Sequence, residues 1–122
     1  MRIFKNAWFR RFAKREKISD AVLQKAIARA DKGIIDANLG GNVIKQRIAR
    51  AGQGRSSGYR TIIIFRKEDR AFFVYGFAKN DQDNISKDEL KVFKRAAKEL
   101  LALSDEQIKL LIANKALMEV KP

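Results

Sequence analysis

Tyr59-Arg60-Thr61-Ile62-Ile63-Ile64-Phe65 and Ala71-Phe72-Phe73-Val74-Tyr75-Gly76-Phe77 are β-branched or aromatic almost throughout, the composition that a pleated, well-covered surface selects. The polar stretch from Arg66 to Arg70 joins them as a hairpin connection would. Their near-continuous apolarity predicts central strands covered on at least one face. Upstream, Val43-Ile44-Lys45-Gln46-Arg47-Ile48-Ala49-Arg50 also has strand character, and AGQGRSSG, from Ala51 to Gly58, separates it from the hairpin as a loop with three glycines.

Outward from this centre the period changes to that of helices. Arg2-Ile3-Phe4-Lys5 reads as an opening strand. Asn6 is an N-cap for a helix carrying Trp8, Phe9 and Phe12, and Ser19 caps a second, with Ile18 and Leu23 spaced as a hydrophobic staple. Val22, Leu23, Ala26, Ile27 and Ala30 form its apolar stripe, and Gly33 ends it. On the other side, Ser86 with Glu89 and Ser104 with Gln107 are two capping boxes. The first opens a helix with Leu90, Phe93, Ala97, Leu100 and Leu101 on one face; the second opens an additional C-terminal helix over residues 104–118 with Ile108, Leu111 and Ile112. The order β-α-α-β-β-β-α-α predicts an α+β fold: an antiparallel sheet of about four strands with two N-terminal helices and the C-terminal helices packed on it. With 122 residues, one proline and seven glycines, there is no room for a linker, and residues 1–122 are expected to form a single domain.

Lys and Arg number 27 against 14 Asp and Glu, a formal charge of +13. The excess is uneven: residues 1–60 hold 15 basic and 4 acidic side chains, a balance of +11, while residues 61–122 hold 12 and 10, a balance of +2. A field concentrated in one half points to a polyanionic partner. There is no cysteine, hence no disulfide framework, and no histidine, the commonest general base and metal ligand. The N-terminal MRIFKNAWFRRFAKR lacks the apolar core of a signal peptide and no run approaches transmembrane length, so a cytoplasmic protein with no membrane partner is expected. Asn80, Asp81, Asp83 and Asn84 superficially suggest a calcium loop, but the required glycine and terminal glutamate are absent. No metal and no cofactor are expected.

Side chains two apart on a strand share a face, so Lys45 and Arg47 point the same way. Arg60 begins the next strand and Lys79 follows the one after it. With antiparallel pairing, the four cations meet at one sheet edge, a geometry suited to a phosphate. RNA carries its own nucleophile, the 2′-hydroxyl, so its cleavage needs only positioning, charge stabilisation and proton transfer. Arginine stays charged and donates in a planar fork, and a lysine crowded by cations has its ammonium form disfavoured. Lys45, Arg47, Arg60 and Lys79 are therefore the candidate catalytic residues; Arg50, Arg55, Tyr59 and Asn80 are candidates for binding RNA. Tyr59 and Tyr75 offer stacking surfaces if they face solvent, and core packing if they do not.

At Arg55-Ser56-Ser57-Gly58-Tyr59-Arg60 the chain resembles the RelE/ParE toxin superfamily. RelE enzymes carry a Lys-x-Lys strand, a loop, then Ser-Gly-Tyr-Arg; Ile44-Lys45-Gln46-Arg47 and Gly58-Tyr59-Arg60 stand in those places here. Tyr75-Gly76-Phe77-Ala78-Lys79-Asn80 is similar to the HigB-like branch. The likeness runs from residue 1 to about 103. It implies a RelE-like fold and a bacterial toxin of a type II toxin–antitoxin pair, neutralised by a cognate antitoxin, that enters the ribosome and cuts mRNA without metal. On that reading Lys45 and Arg47 serve proton transfer and phosphate binding, Arg60 stabilises the transition state, and Lys79 or Asn80 takes part at the end of the last strand. Asn80 and Ser86 stand where RelE has an arginine and a tyrosine. Two alternatives share the charge pattern: a ParE-like toxin acting on DNA gyrase, and a non-catalytic basic RNA- or ribosome-binding module.

Overall fold

The computed structural model describes residues 1–49, 58–79, 81–82 and 84–122. The chain runs β1 (Arg2–Asn6), α1 (Ala7–Glu16), α2 (Asp20–Asp31), β2 (Ala37–Gly40), β3 (Val43–Ile48), β4 (Tyr59–Arg66), β5 (Arg70–Ala78), α3 (Lys87–Leu101), α4 (Asp105–Ala113) and β6 (Leu117–Glu119). The caps act as the sequence predicts. The Asn6 side chain accepts from the Phe9 N–H at 2.7 Å, Ser19 from Val22 at 3.3 Å, and both capping boxes close around Ser86 and Ser104.

The sheet has six strands in the order β2-β3-β4-β5-β1-β6 and is mixed, where about four antiparallel strands are expected from the sequence. The opening strand β1 lies parallel to β5, with Phe4 level with Phe72 and their rings stacked at 5.0 Å. The predicted helix over 104–118 stops at Ala113, because Asn114 caps it and Lys115 takes a left-handed conformation (φ 67°) that turns the chain. Residues 117–119 then pair antiparallel with β1 as β6. Both unforeseen strands are too short for a period-2 pattern to emerge: β2 has four residues and β6 three.

Apolar side chains cover both faces of the sheet. On one, Phe9, Phe12, Leu23 and Ile27 of α1 and α2 pack on Ile44, Ile48, Ile63 and Phe73. On the other, Ala97 of α3 and Ile108 of α4 close over Val43, Ile62, Ile64 and Phe72. A bulge in β5 shifts the register between Ile62–Tyr75 and Ile63–Phe73, so Val74 is extra and Tyr75 and Phe77 join the α3 face. Gly76 is a packing requirement, since a Cβ there would lie 2.7 Å from the Phe12 ring. No helix among the described residues is long and apolar enough to cross a membrane.

Charges fasten the C-terminal segment. Arg2 donates to Glu119 at 2.9 and 3.0 Å, and Asp20 accepts from Lys5 Nζ at 2.8 Å and from the Lys121 N–H at 3.0 Å. The bonds from Arg2 hold the Glu119 carboxyl below its usual range. Partial burial pushes the Asp20 carboxyl up, but Lys5 and the Lys121 N–H outweigh it and the net position is also low. Carboxylates depressed by folding contribute stability that is fully present above their unfolded pKa and lost as pH falls through the folded one. Acidification from about pH 6 to about pH 3, across the carboxylate range, therefore releases residues 117–121 before the central strands. Hydrogen exchange read peptide by peptide should show this; Glu119→Gln with Asp20→Asn should weaken the segment at pH 6 and flatten its pH dependence. Unchanged protection of 117–121 in that pH range would contradict it.

Candidate nucleic-acid site

Antiparallel pairing of β3 with β4 sets Arg47 directly opposite Arg60, with Lys45 one step along opposite Ile62. Alternation puts Lys45, Arg47 and Arg60 on the α3 face of the sheet, toward the end where β3 stops and β4 begins. Like charges directly opposed across strands repel. Asp36, just before β2, relieves this: its carboxylate accepts from Arg47 Nε at 3.2 Å and from the Arg47 backbone N–H at 2.6 Å. Lys45 is half-buried and its Nζ donates to Asn84 Oδ1 at 3.3 Å. Asp36, Ala37, Lys45, Arg47 and Arg60 together line an open pocket of about 230 Å3.

The other face of β3 holds this arrangement in place. Gln46 is fully buried (0% exposed). Its Nε2 donates to the carbonyls of Ala26 and Ile34 at 3.1 and 2.9 Å, and its Oε1 accepts from the Asp36 N–H at 3.0 Å. One amide thus clamps the segment from Ile34 to Asp36 onto the sheet and fixes where the Asp36 carboxylate stands. Arg29 adds a bond to the Arg47 carbonyl at 2.7 Å, and the Thr61 hydroxyl donates to the Gln46 carbonyl at 2.8 Å.

Of the residues singled out from the sequence, Lys45, Arg47 and Arg60 come together. Lys79 is exposed, one residue past β5 at the same end of the sheet, where Ala78 pairs with Tyr59, but it does not line the pocket. Arg50, Arg55 and Asn80 lie outside the described residues. Tyr59 is not a stacking platform. It is 2% exposed, its hydroxyl donates to Glu16 Oε1 at 2.8 Å and its ring meets Phe12 edge-on at 5.6 Å. Strand alternation explains the correction: the neighbour of Arg60 necessarily faces α1, into the core. Tyr75 is half-buried against Trp8 and Phe93, with its hydroxyl donating to Gln82. Asp36, Gln46 and Asn84 were not foreseen. Gln46 had a signal, a lone amide on the face shared with Ile44 and Ile48; Asp36 and Asn84 had none, because tertiary structure alone brings them to the pocket.

Three cations from two paired strands thus line one open pocket, an arrangement chemically suited to an anionic group. The chain belongs to the RelE family: residues 1–120 match the RelE toxin of the RelE/RelB toxin–antitoxin system. It is thus a toxin of a toxin–antitoxin pair, from a family whose members are generally mRNA-cleaving inhibitors of translation and whose partner is a cognate antitoxin. No curated protein matches the chain.

Replacing Gln46 by Leu keeps the volume but strips its bonds from the Ile34 carbonyl and the Asp36 N–H, while the Ala26 carbonyl keeps its helical partner. At roughly 1–3 kcal/mol for each buried polar group left unpaired, partly relieved by water, the loss should be about 2–4 kcal/mol in urea denaturation. A change under about 0.5 kcal/mol, the scatter of surface substitutions, would show that the amide holds nothing.

Proposed function

We propose that this chain is a metal-independent, ribosome-dependent endoribonuclease of the HigB-like branch, which cuts mRNA in the cytoplasm with the RNA's own 2′-hydroxyl as nucleophile. The observation that carries the reading is the convergence of Lys45, Arg47 and Arg60 on one open pocket. Among the described residues the one carboxylate lining that pocket, Asp36, is already bound to Arg47, which leaves it orienting a guanidinium.

The chemistry balances with these groups. The 2′-oxygen attacks the adjacent phosphorus as its proton leaves, the P–O5′ bond breaks, and the departing 5′-oxygen takes up a proton. The products are a 2′,3′-cyclic phosphate and a 5′-hydroxyl. Arg47 and Arg60 grip the non-bridging oxygens, whose charge grows in the pentavalent transition state. Lys45 stands at the edge of the pocket as the proton-transfer group, steadied by Asn84. Lys79, past the end of β5, contributes charge to the flanking phosphate. A ribosome supplies the orientation of the message, and the cognate antitoxin suppresses the activity.

The test is primer extension on a translated message after pure protein is added to ribosomes. Wild type should give discrete cuts. Arg60→Ala should lower the rate by about 10²- to 10³-fold, the usual loss for one transition-state donor, with melting unchanged within a few degrees. Cutting at the wild-type rate by folded Arg60→Ala protein would remove this residue from the mechanism.

A further inference from the structure

α3 carries a second basic array that the pocket does not use. Lys87, Lys91, Lys94 and Lys98 recur at spacings of four, three and four. At 3.6 residues per turn they fall within about 60° of one another and span about 16 Å of helix. Lys87, Lys91 and Lys98 are exposed and Lys94 half-buried, and among the described residues none of the four makes an ion pair. Such a stripe opposes its own helix. Like charges three and four apart repel, and Lys87, in the first turn, faces the positive end of the helix dipole. An amphipathic helix needs its apolar face; it does not need its solvent face to carry four lysines in a row.

The stripe is continuous with the pocket. Lys45 reaches Asn84, two residues before the Ser86 cap of α3. Farther along, Lys94 lies over the turn between β2 and β3, its Cγ 3.0 Å from where a Gly41 Cβ would stand. Gly40 and Gly41 (φ 83° and 59°) give that turn a backbone without side chains, over which the lysine stem can rest. A groove of about 470 Å3 follows, lined by Lys94 and Lys98, by Arg66 from the end of β4, and by Ala97, Leu101 and Ala102. The array thus starts beside Lys45 and runs the length of the helix on the same face of the sheet. Among the described residues no large apolar side chain beside it is exposed. Val92, the exposed one on α3 (61%), is about 100° round the helix from the nearest of the four lysines. A sugar–phosphate backbone needs only spaced cations, which the exposed lysines supply.

We infer that the α3 lysines form a track for the RNA backbone leaving the cleavage pocket, binding successive phosphates without regard to base. The inference rests on the proposed nuclease reading for where the track begins, and its test needs no cleavage. The probe is fluorescein-labelled oligodeoxythymidine, which lacks the 2′-hydroxyl, at lengths of ~3 and ~12 nucleotides, with affinity measured from about 50 to 300 mM salt. Wild type should bind the longer probe more tightly. Changing Lys87, Lys91, Lys94 and Lys98 to Gln should lower affinity for the longer probe by at least ~10-fold at low salt and flatten log K against log salt by about 2–3, at ~0.7 for each phosphate no longer neutralised. Binding of the short probe should change little. Matched Gln substitutions at Lys25, Lys32, Lys67 and Lys109 remove the same net charge and should leave the length dependence intact. Circular dichroism and melting exclude unfolding as the cause.

An unaltered slope and length dependence in the α3 variant would overturn the track and leave the stripe a solvated face. Displacement of the long probe by polyglutamate of equal charge as readily as by unlabelled oligonucleotide would overturn it in favour of an acidic protein. Lysine-dependent binding in a protein that cuts no message on ribosomes would support the track and remove the nuclease reading instead.

Discussion

Two arginines facing each other across neighbouring strands are an unfavourable pair, and the site is organised around that repulsion. The register of β3 on β4 places Arg47 opposite Arg60; nothing in strand pairing itself relieves the resulting charge. Asp36 neutralises one side by binding Arg47 through both its guanidinium and its backbone. Under the proposed function, a phosphate seated between the two arginines would draw both planar forks toward one anion. Strand register and the bonds from Asp36 thus fix where these cations stand.

Rigidity there comes from the buried face of the same strand. Alternation sends Lys45 and Arg47 out and Gln46 in, so a single six-residue strand carries both the cations and the amide that positions their carboxylate. The sheet is covered by α1 and α2 on one face and by α3 and α4 on the other, and the cations stand where β3 stops and β4 begins. The fold thereby separates its tasks: aromatic and aliphatic packing through Phe4, Phe72 and Ile63 holds the strands, and the β3–β4 end presents charge. The added strands β2 and β6 serve the same division, with β2 following Asp36 and β6 closing over β1.

The parts legible in the sequence were those encoded locally. Capping residues, the β-branched runs and the two-residue alternation at Lys45 and Arg47 each depend on near neighbours in the chain, and they located four helices and the central strands. Arg60 was legible because it opens a strand after a glycine-rich loop. The parallel neighbour of β5 was not, since pairing between residues nearly seventy positions apart leaves no local trace; the same holds for Asp36 and Asn84. Tyr59 shows a different obstacle. An aromatic next to an arginine reads equally well as a stacking surface or as core, and only the face assigned by register decides between them.

NMR of the guanidinium Nε–H groups, in protein titrated with a 2′-O-methyl dinucleotide that cannot be cut, tests most directly whether these cations grip one phosphate. The signals of Arg47 and Arg60 should move together along a single saturation curve, and Arg60→Lys should weaken the response at Arg47, because a lysine loses the fork. Saturation of one arginine with the other unmoved would mean that the two do not share a ligand, and the phosphate pocket would have to be abandoned.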